Sequence, residues 1–312
     1  MPAIVAILGA TATGKSALAL RLAELLNGEI VNADALQVYQ GFDVGTGKPT
    51  AADRARVPHH LFDILAPNEP LSAGELARRA RTAIADIQAR GRLPLVVGGS
   101  GLYLRALLAG ISPMPEVPAR LRAWLTSARH RHGLPTLRRW LRVLDPQSAA
   151  RTSEGDTQRT LRALELALAS GRTQTWWITQ SPFADAPLHA LRIGLTLPRT
   201  VLYDRIADRV SAMVAMGWVG EVERLLEAGW DPGLPAFQAI GYRQLARHVR
   251  GEVDLDQAVE ETIRATRRFA KRQSTWFRRE PDVVWFEAQD PDATLSRVLD
   301  FLKNPGAGIP RE

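Results

Sequence analysis

The chain has 312 residues, of which 46% are apolar and 23% charged, so it can bury one sizeable core and support a second, smaller unit. It contains no cysteine, which excludes disulfide bridges, thiolate catalysis and cysteine-based zinc sites. The formal net charge of +7 indicates either a polyanionic partner or a basic surface that serves solubility alone.

The first residues predict a strand, a loop and a helix. Ile4–Leu8 is a continuous apolar run that ends at Gly9, and Ser16–Leu26 has leucines at helical spacing. The start, Met1–Leu8, lacks the basic residues that open a signal peptide, and its apolar run is too short to cross a membrane. We therefore expect a globular protein of the cytoplasm, without a membrane partner.

Strands alternate with helices over the rest of the first 110 residues. Such alternation predicts an α/β fold with a parallel sheet flanked by helices. Pro49–Pro70 is rich in turn residues, and Ser72 is a candidate helix N-cap with Glu75 three residues later. The predicted elements are the strands Glu29–Val31 and Leu93–Val97 and the helices Ser72–Arg90 and Leu102–Leu108.

The composition changes after Gly110. Ser112–Pro118 carries three prolines and predicts a linker, and the arginine-rich stretch that follows, up to about Thr179, has helical patterns and no clear strand. We interpret it as an inserted all-helical domain. The chain then returns to the sheet with the strands Leu191–Leu197 and Val283–Phe286 and the amphipathic helical segment Val201–Ala228. The predicted division is core 1–112, inserted domain 113–182, core 183–303 with a basic C-terminal helix, and a frayed tail 304–312.

Two regions carry the positive charge. Eleven arginines between Arg120 and Arg172 stand against four acidic residues, and seven cations lie between Glu261 and Glu280 with no acid among them. Basic clusters of this kind are typical of surfaces that contact nucleic-acid phosphates.

One motif indicates the chemistry. Glycines at both ends of a short loop let successive backbone amides surround a diphosphate, while a lysine adds positive charge and a serine hydroxyl can hold Mg²⁺. Kinases and ATPases use the same loop, so the motif predicts phosphate binding without deciding the reaction. No acidic residue follows Leu93–Val97, where many phosphate-loop ATPases carry an aspartate, which argues against a motor or switch ATPase. The motif residues are Gly9, Ala10, Thr11, Ala12, Thr13, Gly14, Lys15 and Ser16.

Eight segments, in order and reaching to about Phe286, resemble the tRNA dimethylallyltransferases, also called tRNA isopentenyltransferases. Ala10, Ala35 and Ser100 depart from the usual family residues, although Ser100 keeps a hydroxyl. Nothing after Phe286 resembles the zinc-finger extension of some eukaryotic relatives, so the likeness is to the bacterial type. The segments are Gly9–Ser16, Asp34–Tyr39, Gly45–Pro49, Pro58–Leu61, Gly98–Tyr103, Asp156–Arg159, Gln238–Arg243 and Lys271–Arg278.

The resemblance implies a phosphate-loop kinase-like fold and a prenyl transfer. Dimethylallyl diphosphate would be the donor, and the exocyclic N6 of adenosine 37, next to the anticodon of tRNA, would be the acceptor. Asp34 would accept the amine proton, Ser100 would hold the base, and Arg209, with Arg205 second, would stabilise the departing diphosphate together with Lys15 and with Mg²⁺ at Ser16.

The resemblance also implies contacts with the tRNA anticodon stem-loop and a monomeric enzyme. The target base must leave its stack to reach the reacting groups. The implied tRNA-binding residues are Asp34, Ala35, Leu36, Gln37, Ser100, Arg122, Gln158, Arg159, Thr160, Leu161, Arg162, Gln238, Ala239, Ile240, Gly241, Tyr242, Arg243, Lys271, Arg272, Gln273, Ser274, Thr275, Trp276, Phe277 and Arg278.

Two alternatives stay open from the sequence. A phosphate-loop kinase of a nucleoside or small metabolite would explain the loop, with the basic regions serving as a lid. It would leave the extent of the basic regions unexplained. An RNA-binding protein with a vestigial loop would explain the charge, but the intact Gly14, Lys15, Ser16 and Asp34 speak against it.

Overall fold

The computed structural model describes residues 3–110, 112, 114–180 and 187–304. The chain divides into two compact units, which we call the core unit (residues up to 108 and from 188) and the inserted unit (residues 109–187). The sequence-based boundaries were 112/113 and 182/183. The tail 305–312 and parts of both predicted junctions, residues 111, 113 and 181–186, lie outside the described residues.

Among the described residues, six parallel strands form one sheet in the order β3-β2-β4-β1-β5-β6. The predicted strands are confirmed to within one residue at most ends. The two-residue β3 was missed, because it pairs only with Ile30 and Val31 at the sheet edge and is too short to show a period. The strands are β1 (Val5–Gly9), β2 (Gly28–Asn32), β3 (His59–His60), β4 (Leu93–Val97), β5 (Leu191–Thr196) and β6 (Val283–Glu287).

The helices follow the expected capping chemistry where the sequence predicted it. The Ser72 hydroxyl accepts a hydrogen bond from the Glu75 amide at 3.1 Å and starts α3. The amphipathic segment predicted as one unit is two helices, because the backbone turns left-handed at Gly217. The helices are α1 (Lys15–Leu25), α2 (Ala51–Arg56), α3 (Ala73–Ala89), α4 (Gly101–Ala109), α5 (Ala119–Leu144), α6 (Pro146–Arg151), α7 (Thr157–Ser170), α8 (Gln174–Gln180), α9 (Arg199–Ala215), α10 (Trp218–Glu227), α11 (Tyr242–Val249), α12 (Leu255–Phe277) and α13 (Pro291–Lys303).

The described residues of the core unit form three apolar clusters, and the two larger ones position the strand ends. One covers the sheet with α1 and α13 through Ile7, Leu22 and Leu95, which are fully buried. The other joins the segment after β2 to α10, α11 and α12 through Phe42 and Phe237. Burying side chains of this size contributes about 2 kcal/mol each, so both clusters hold the strand ends and their loops in place.

The inserted unit consists of α5, α6, α7 and α8, and its described residues contain no strand, as the sequence predicted. Its core is formed by leucines and alanines such as Leu125, Leu141 and Leu164. The Asp145 carboxylate caps α6 by accepting from the Ser148 amide at 3.0 Å and from the Thr175 hydroxyl at 2.7 Å. Helix α5 is kinked at Gly133, where the backbone is not helical.

No helix within the described parts of either unit combines the length and the apolar character that crossing a bilayer requires.

Candidate active site

The site forms where three parallel strands end at the same edge of the sheet. β1 leads into the phosphate loop, β2 is followed by Asp34, and β4 is followed by Gly98–Ser100. A cavity of about 320 Å³ lies there and is lined by residues from all three. Clefts outside the carboxyl ends of parallel strands are where α/β proteins bind ligands, and β1 lies between β4 and β5, where the strand order reverses.

The phosphate loop has the geometry of an anion site. Lys15 Nζ donates to the Ala10 carbonyl at 2.6 Å, and the Thr13 hydroxyl donates to the same oxygen at 2.8 Å. Ala12 has a left-handed backbone with φ near 65°, a strained conformation of the kind found at functional loops. Burial lowers the pKa of Lys15 to about 8, and Arg209 lowers it as well, against an opposing effect of Asp34. A bound anion would restore the full charge of this ammonium.

Asp34 presents a carboxylate to the same cavity. Its Oδ1 accepts the Leu36 amide at 2.9 Å, and its backbone amide donates to Asn32 Oδ1 at 2.8 Å, so the side chain is held by its own segment. Burial raises the pKa of Asp34, while Lys15 and Arg209 act to lower it. A carboxylate whose proton affinity is raised, in a cavity beside two cations, is suited to accept a proton from a bound substrate.

Arg209 on α9 lines this cavity with Lys15 and Asp34, as the sequence expected. Burial lowers the pKa of its guanidinium and Asp34 opposes the shift. Arg205, one turn earlier, does not appear among the lining residues of this cavity, so its role as a second diphosphate-binding arginine stays a prediction. Ser100 Oγ accepts a hydrogen bond from the Ala35 amide at 3.4 Å, which brings this hydroxyl next to the Asp34 segment.

A second cavity of about 340 Å³ adjoins the first and shares Thr11, Asp34, Thr46, Arg209 and Phe269 with it. Its remaining wall is largely apolar, with Ile206, Val210, Met213 and Trp218 among the lining residues. A polar and an apolar compartment therefore meet at Asp34. Six of the residues expected to bind tRNA line the second cavity, namely Asp34, Leu36, Gln238, Ala239, Ile240 and Arg272.

Gln37 and Gln273 connect backbone segments around the first cavity. Gln37 Nε2 donates to the carbonyls of Thr46 at 3.1 Å and Gly47 at 3.2 Å. Gln273, only 6% exposed, accepts the Thr11 amide at 2.8 Å and donates to the Gly99 carbonyl at 2.7 Å. Both polar ends of this side chain tie α12 to the phosphate loop and to the end of β4, and its expected contact with RNA stays a prediction.

We expect Gln273→Leu to lower the free energy of unfolding by about 2 kcal/mol, because the buried Gly99 carbonyl loses its partner. It should also raise the KM for the phosphate-bearing substrate, since the loop loses its tie at Thr11. Chemical denaturation and steady-state kinetics measure the two effects. The matched control is Gln257→Leu, at an exposed position of the same helix; equal losses in both variants would contradict the assignment.

Three other expected RNA contacts are corrected by burial. Tyr242 is fully buried and donates its hydroxyl to Glu221 at 2.6 Å, and Phe277 is buried in the core unit. In the inserted unit, Thr160 is buried and its hydroxyl donates to the Asp156 carbonyl at 2.7 Å. A side chain that faces a packed interior is not available to a macromolecule. Trp276 is half-buried, with the Arg105 guanidinium 4.7 Å from its ring centre.

The remaining residues expected to bind RNA keep accessible side chains. Lys271 on α12 and Arg278 just after its end are exposed. The nearby Arg267 instead donates to the Tyr203 carbonyl at 3.2 Å and lies over the Tyr203 ring. The accessible residues expected to bind RNA are Arg122, Gln158, Arg159, Arg243, Lys271, Arg272, Thr275 and Arg278 in full, and Leu161, Arg162 and Ser274 in part.

Sequence reasoning missed Trp218 and Glu221, which join α10 to the loop that follows β2. One signal was present in the sequence. Glu221 falls on the apolar face of an amphipathic helix, beside Val222 and Leu225, where an acidic residue predicts a buried carboxylate with a structural partner.

Comparison with known proteins gives consistent matches. The family model described as IPP transferase matches residues 37–280. A tRNA dimethylallyltransferase of Syntrophobacter fumaroxidans is 48% identical over 95% of this chain and 86% of that relative. One of Geobacter metallireducens is 45% identical over 96% of this chain and 97% of that relative.

Solved structures agree with this fold. A full-length tRNA isopentenylpyrophosphate transferase of Bacillus halodurans has a TM-score of 0.70 at 37% identity, covering 97% of this chain and 96% of its own. A eukaryotic dimethylallyltransferase described as acting on tRNA has a TM-score of 0.82 at 24% identity, covering 100% of this chain and 82% of its own. At that identity the second match bears on the fold, a parallel sheet flanked by helices.

Proposed function

This chain belongs to the IPP transferase family, and on that premise we propose that it transfers a dimethylallyl group from dimethylallyl diphosphate to the exocyclic N6 of adenosine 37 in tRNA. The product is isopentenyladenosine, and diphosphate is released. One observation carries the proposal: Lys15, Asp34 and Arg209 line one cavity at the end of the phosphate loop. This arrangement offers cations for a leaving diphosphate and a carboxylate for an amine proton.

The polar compartment suits the donor. The backbone amides of the loop, Lys15 and Arg209 would bind the diphosphate and stabilise the charge that develops as its bond to the allylic carbon breaks. The Ser16 hydroxyl is exposed and lines this cavity, and one hydroxyl with diphosphate oxygens and waters is a donor set that fits Mg²⁺. Bound there, Mg²⁺ would neutralise part of the diphosphate charge.

The acceptor would meet the donor at Asp34. The adenine N6 forms a bond to the allylic carbon, the carbon–oxygen bond to diphosphate breaks, and the amine proton passes to the Asp34 carboxylate. Because an aromatic amine is a weak nucleophile, stabilising the positive charge on N6 matters as much as removing the proton. The hydroxyl of Ser100, near the Asp34 segment, would hold the base in place.

We further propose that the enzyme binds the anticodon stem-loop and works as a monomer in the cytoplasm. Ten of the eleven arginines of the inserted unit are at least partly exposed, all but the buried Arg138, and with the exposed cations of α12 they support contacts with RNA phosphates. Sedimentation of the protein with and without tRNA tests the monomer. A dimer would show twice the mass of one chain before tRNA is added, or would bind two stem-loops per particle.

The direct test of the function is incubation with unmodified tRNA and either dimethylallyl diphosphate or ATP, followed by digestion and mass analysis of nucleosides. Prenylated adenosine that depends on the allylic donor supports the proposal. Phosphoryl transfer from ATP to a nucleoside or metabolite, without prenylation, would instead support a kinase. Binding of tRNA without either product would leave only an RNA-binding role.

Neutralising Arg268 and Lys271 together, each to glutamine, should weaken tRNA binding and lower the slope of log affinity against log salt by roughly one to two units. Both side chains are exposed on one face of α12. The matched control is Arg267→Gln, whose guanidinium packs on Tyr203 and should affect stability more than the slope. An unchanged slope in the double variant would mean that this face does not contact RNA.

A further inference from the structure

We propose that the first turn of α10 is a positioning device for the loop Asp43–Lys48, and that Trp218, Glu221 and Tyr242 hold this loop against the reaction cavity. The inference rests on the proposed function and deepens it, because the loop forms part of the cavity wall beside Asp34 and Arg209. Trp218 lines the second cavity, whereas Glu221 and Tyr242 are not among the lining residues of either cavity, so these two act through the loop and not on the substrate.

The Glu221 carboxylate binds the backbone amides of the loop. Its side chain belongs to a residue only 4% exposed, and its carboxylate accepts the amides of Asp43 at 3.0 Å, Val44 at 2.7 Å and Gly45 at 3.3 Å. Tyr242 adds a fourth donor, its hydroxyl, at 2.6 Å. A buried carboxylate that accepts several hydrogen bonds is costly to displace, since each of its donors is then left unpaired.

Burial and then the adjacent Glu221 carboxylate raise the pKa of Tyr242. The phenol therefore stays protonated at any pH at which the enzyme would work, and it can only donate in this pair. The direction of the bond is thus fixed, and Tyr242→Phe removes a donor from Glu221 without adding a charge.

Trp218 holds the same loop in place by steric packing. It is one turn before Glu221 on α10 and only 2% exposed, and its ring lies against two glycines. A Cβ atom at Gly45 would lie 2.0 Å from the indole Nε1, and one at Gly241 would lie 1.9 Å from Cη2. Neither position tolerates a side chain while the indole stays there. Because Nε1 has no hydrogen-bond partner among the described residues, the ring contributes through its width.

The far end of the loop is held as well. Lys48 Nζ donates to the Tyr39 carbonyl at 2.6 Å and to Asp43 at 2.7 Å, and it also pairs with Asp63. The loop is thus fixed by a buried ammonium at one end and by a buried carboxylate at the other. Such double anchoring leaves little freedom for the residues between them.

Those residues are the ones that face the reacting groups. The carbonyls of Thr46 and Gly47 accept hydrogen bonds from the Gln37 side-chain amide. Arg209 packs against Gly47, since a Cβ atom at this glycine would lie 2.1 Å from Arg209 Nη2. Gly45 and Thr46 line the apolar compartment next to Asp34. A displaced loop therefore moves Arg209 and the wall opposite Asp34, while Lys15 and the phosphate loop stay where they are.

The experiment compares Glu221→Gln and Tyr242→Phe with the parent and with the control Glu223→Gln, at an exposed position of the same helix. We expect kcat per folded site to fall roughly ten- to a hundredfold in Glu221→Gln, since a misplacement of about 1 Å can cost that much. Tyr242→Phe should show a smaller loss. The donor KM should change less than kcat in both, because the phosphate loop and Lys15 keep their contacts with the diphosphate even where Arg209 moves.

Hydrogen exchange supplies a second readout that does not depend on catalysis. Amides of residues 43–45 should exchange faster in Glu221→Gln than in the parent, with the phosphate loop unchanged, and at parental rates in Glu223→Gln.

Unchanged exchange at residues 43–45, or an unchanged kcat per folded site in both variants, would overturn the proposal. If Glu221→Gln does not fold, Tyr242→Phe decides, because it retains the three backbone bonds of Glu221. If the parent transfers no prenyl group, the proposed function fails, while the exchange measurement still tests whether Glu221 and Tyr242 hold the loop Asp43–Lys48. The two failures are therefore distinguishable.

Discussion

Asp34→Asn is expected to slow prenyl transfer by about a hundred- to ten-thousandfold, the range typical of a positioned proton acceptor. The asparagine side chain keeps an oxygen that can accept the Leu36 amide. The hydrogen bond from the backbone amide of residue 34 to Asn32 Oδ1 does not involve the side chain that is changed. Binding of both substrates should therefore survive. Single-turnover measurement with saturating donor and tRNA isolates the chemical step from binding and product release.

The same variant should be at least as stable as the parent at neutral pH. Burial raises the pKa of Asp34, so the folded protein binds this proton more tightly than the unfolded chain does. The stability due to the protonated carboxyl is present below its unfolded pKa and is lost as pH rises through the raised folded value. Asp34→Asn removes that loss. The difference in unfolding temperature between pH 4 and pH 7 should therefore be smaller in the variant than in the parent.

Asp231→Asn, at an exposed site on the surface of the core unit, is the matched control and should leave the transfer rate unchanged. A transfer rate for Asp34→Asn within a few fold of the parent would show that Asp34 is not the proton acceptor. A joint loss of stability and of both affinities would instead mark Asp34 as a structural aspartate.

Lys15→Met should slow the reaction by about a hundred- to thousandfold and weaken donor binding, because the diphosphate loses a cation in a buried site. Binding of tRNA should stay close to that of the parent, since Lys15 lines the phosphate-loop cavity and not the exposed face of α12. Lys303→Met, at the exposed end of α13, is the control. Parental turnover in Lys15→Met would remove the phosphate loop from the mechanism.

Lys15 also gives donor binding a pH dependence that the variant should lack. Its pKa of about 8 in the ligand-free protein means that the ammonium deprotonates as pH rises past 8, and a bound diphosphate would hold the proton on. The donor dissociation constant should therefore increase by up to about tenfold per pH unit above 8. Titrations of donor binding between pH 7 and pH 10 should be steep in the parent and flat in Lys15→Met.

The sequence by itself determined the class of fold and the chemistry. Short apolar runs located the strands, and the strand–loop–helix pattern at Gly9–Ser16 predicted phosphate binding. Ordered motifs indicated the family and led to Lys15, Asp34 and Arg209, which share one cavity in the structure. The sequence predicts these features because the strand period, the helix period and the loop chemistry each depend on residues that are close together in the chain.

Only the tertiary structure decided which side chains face the cavity and which face the interior. Gln273 lies in a motif expected to bind RNA, yet it connects with Thr11, 262 residues away in sequence. Tyr242 likewise pairs with Glu221, and Trp218 meets Gly45 and Gly241 from a third segment. A motif shows that residues occur together, but not whether each one touches a ligand or supports a neighbour that does. That distinction depends on packing between distant segments, which local sequence patterns do not encode.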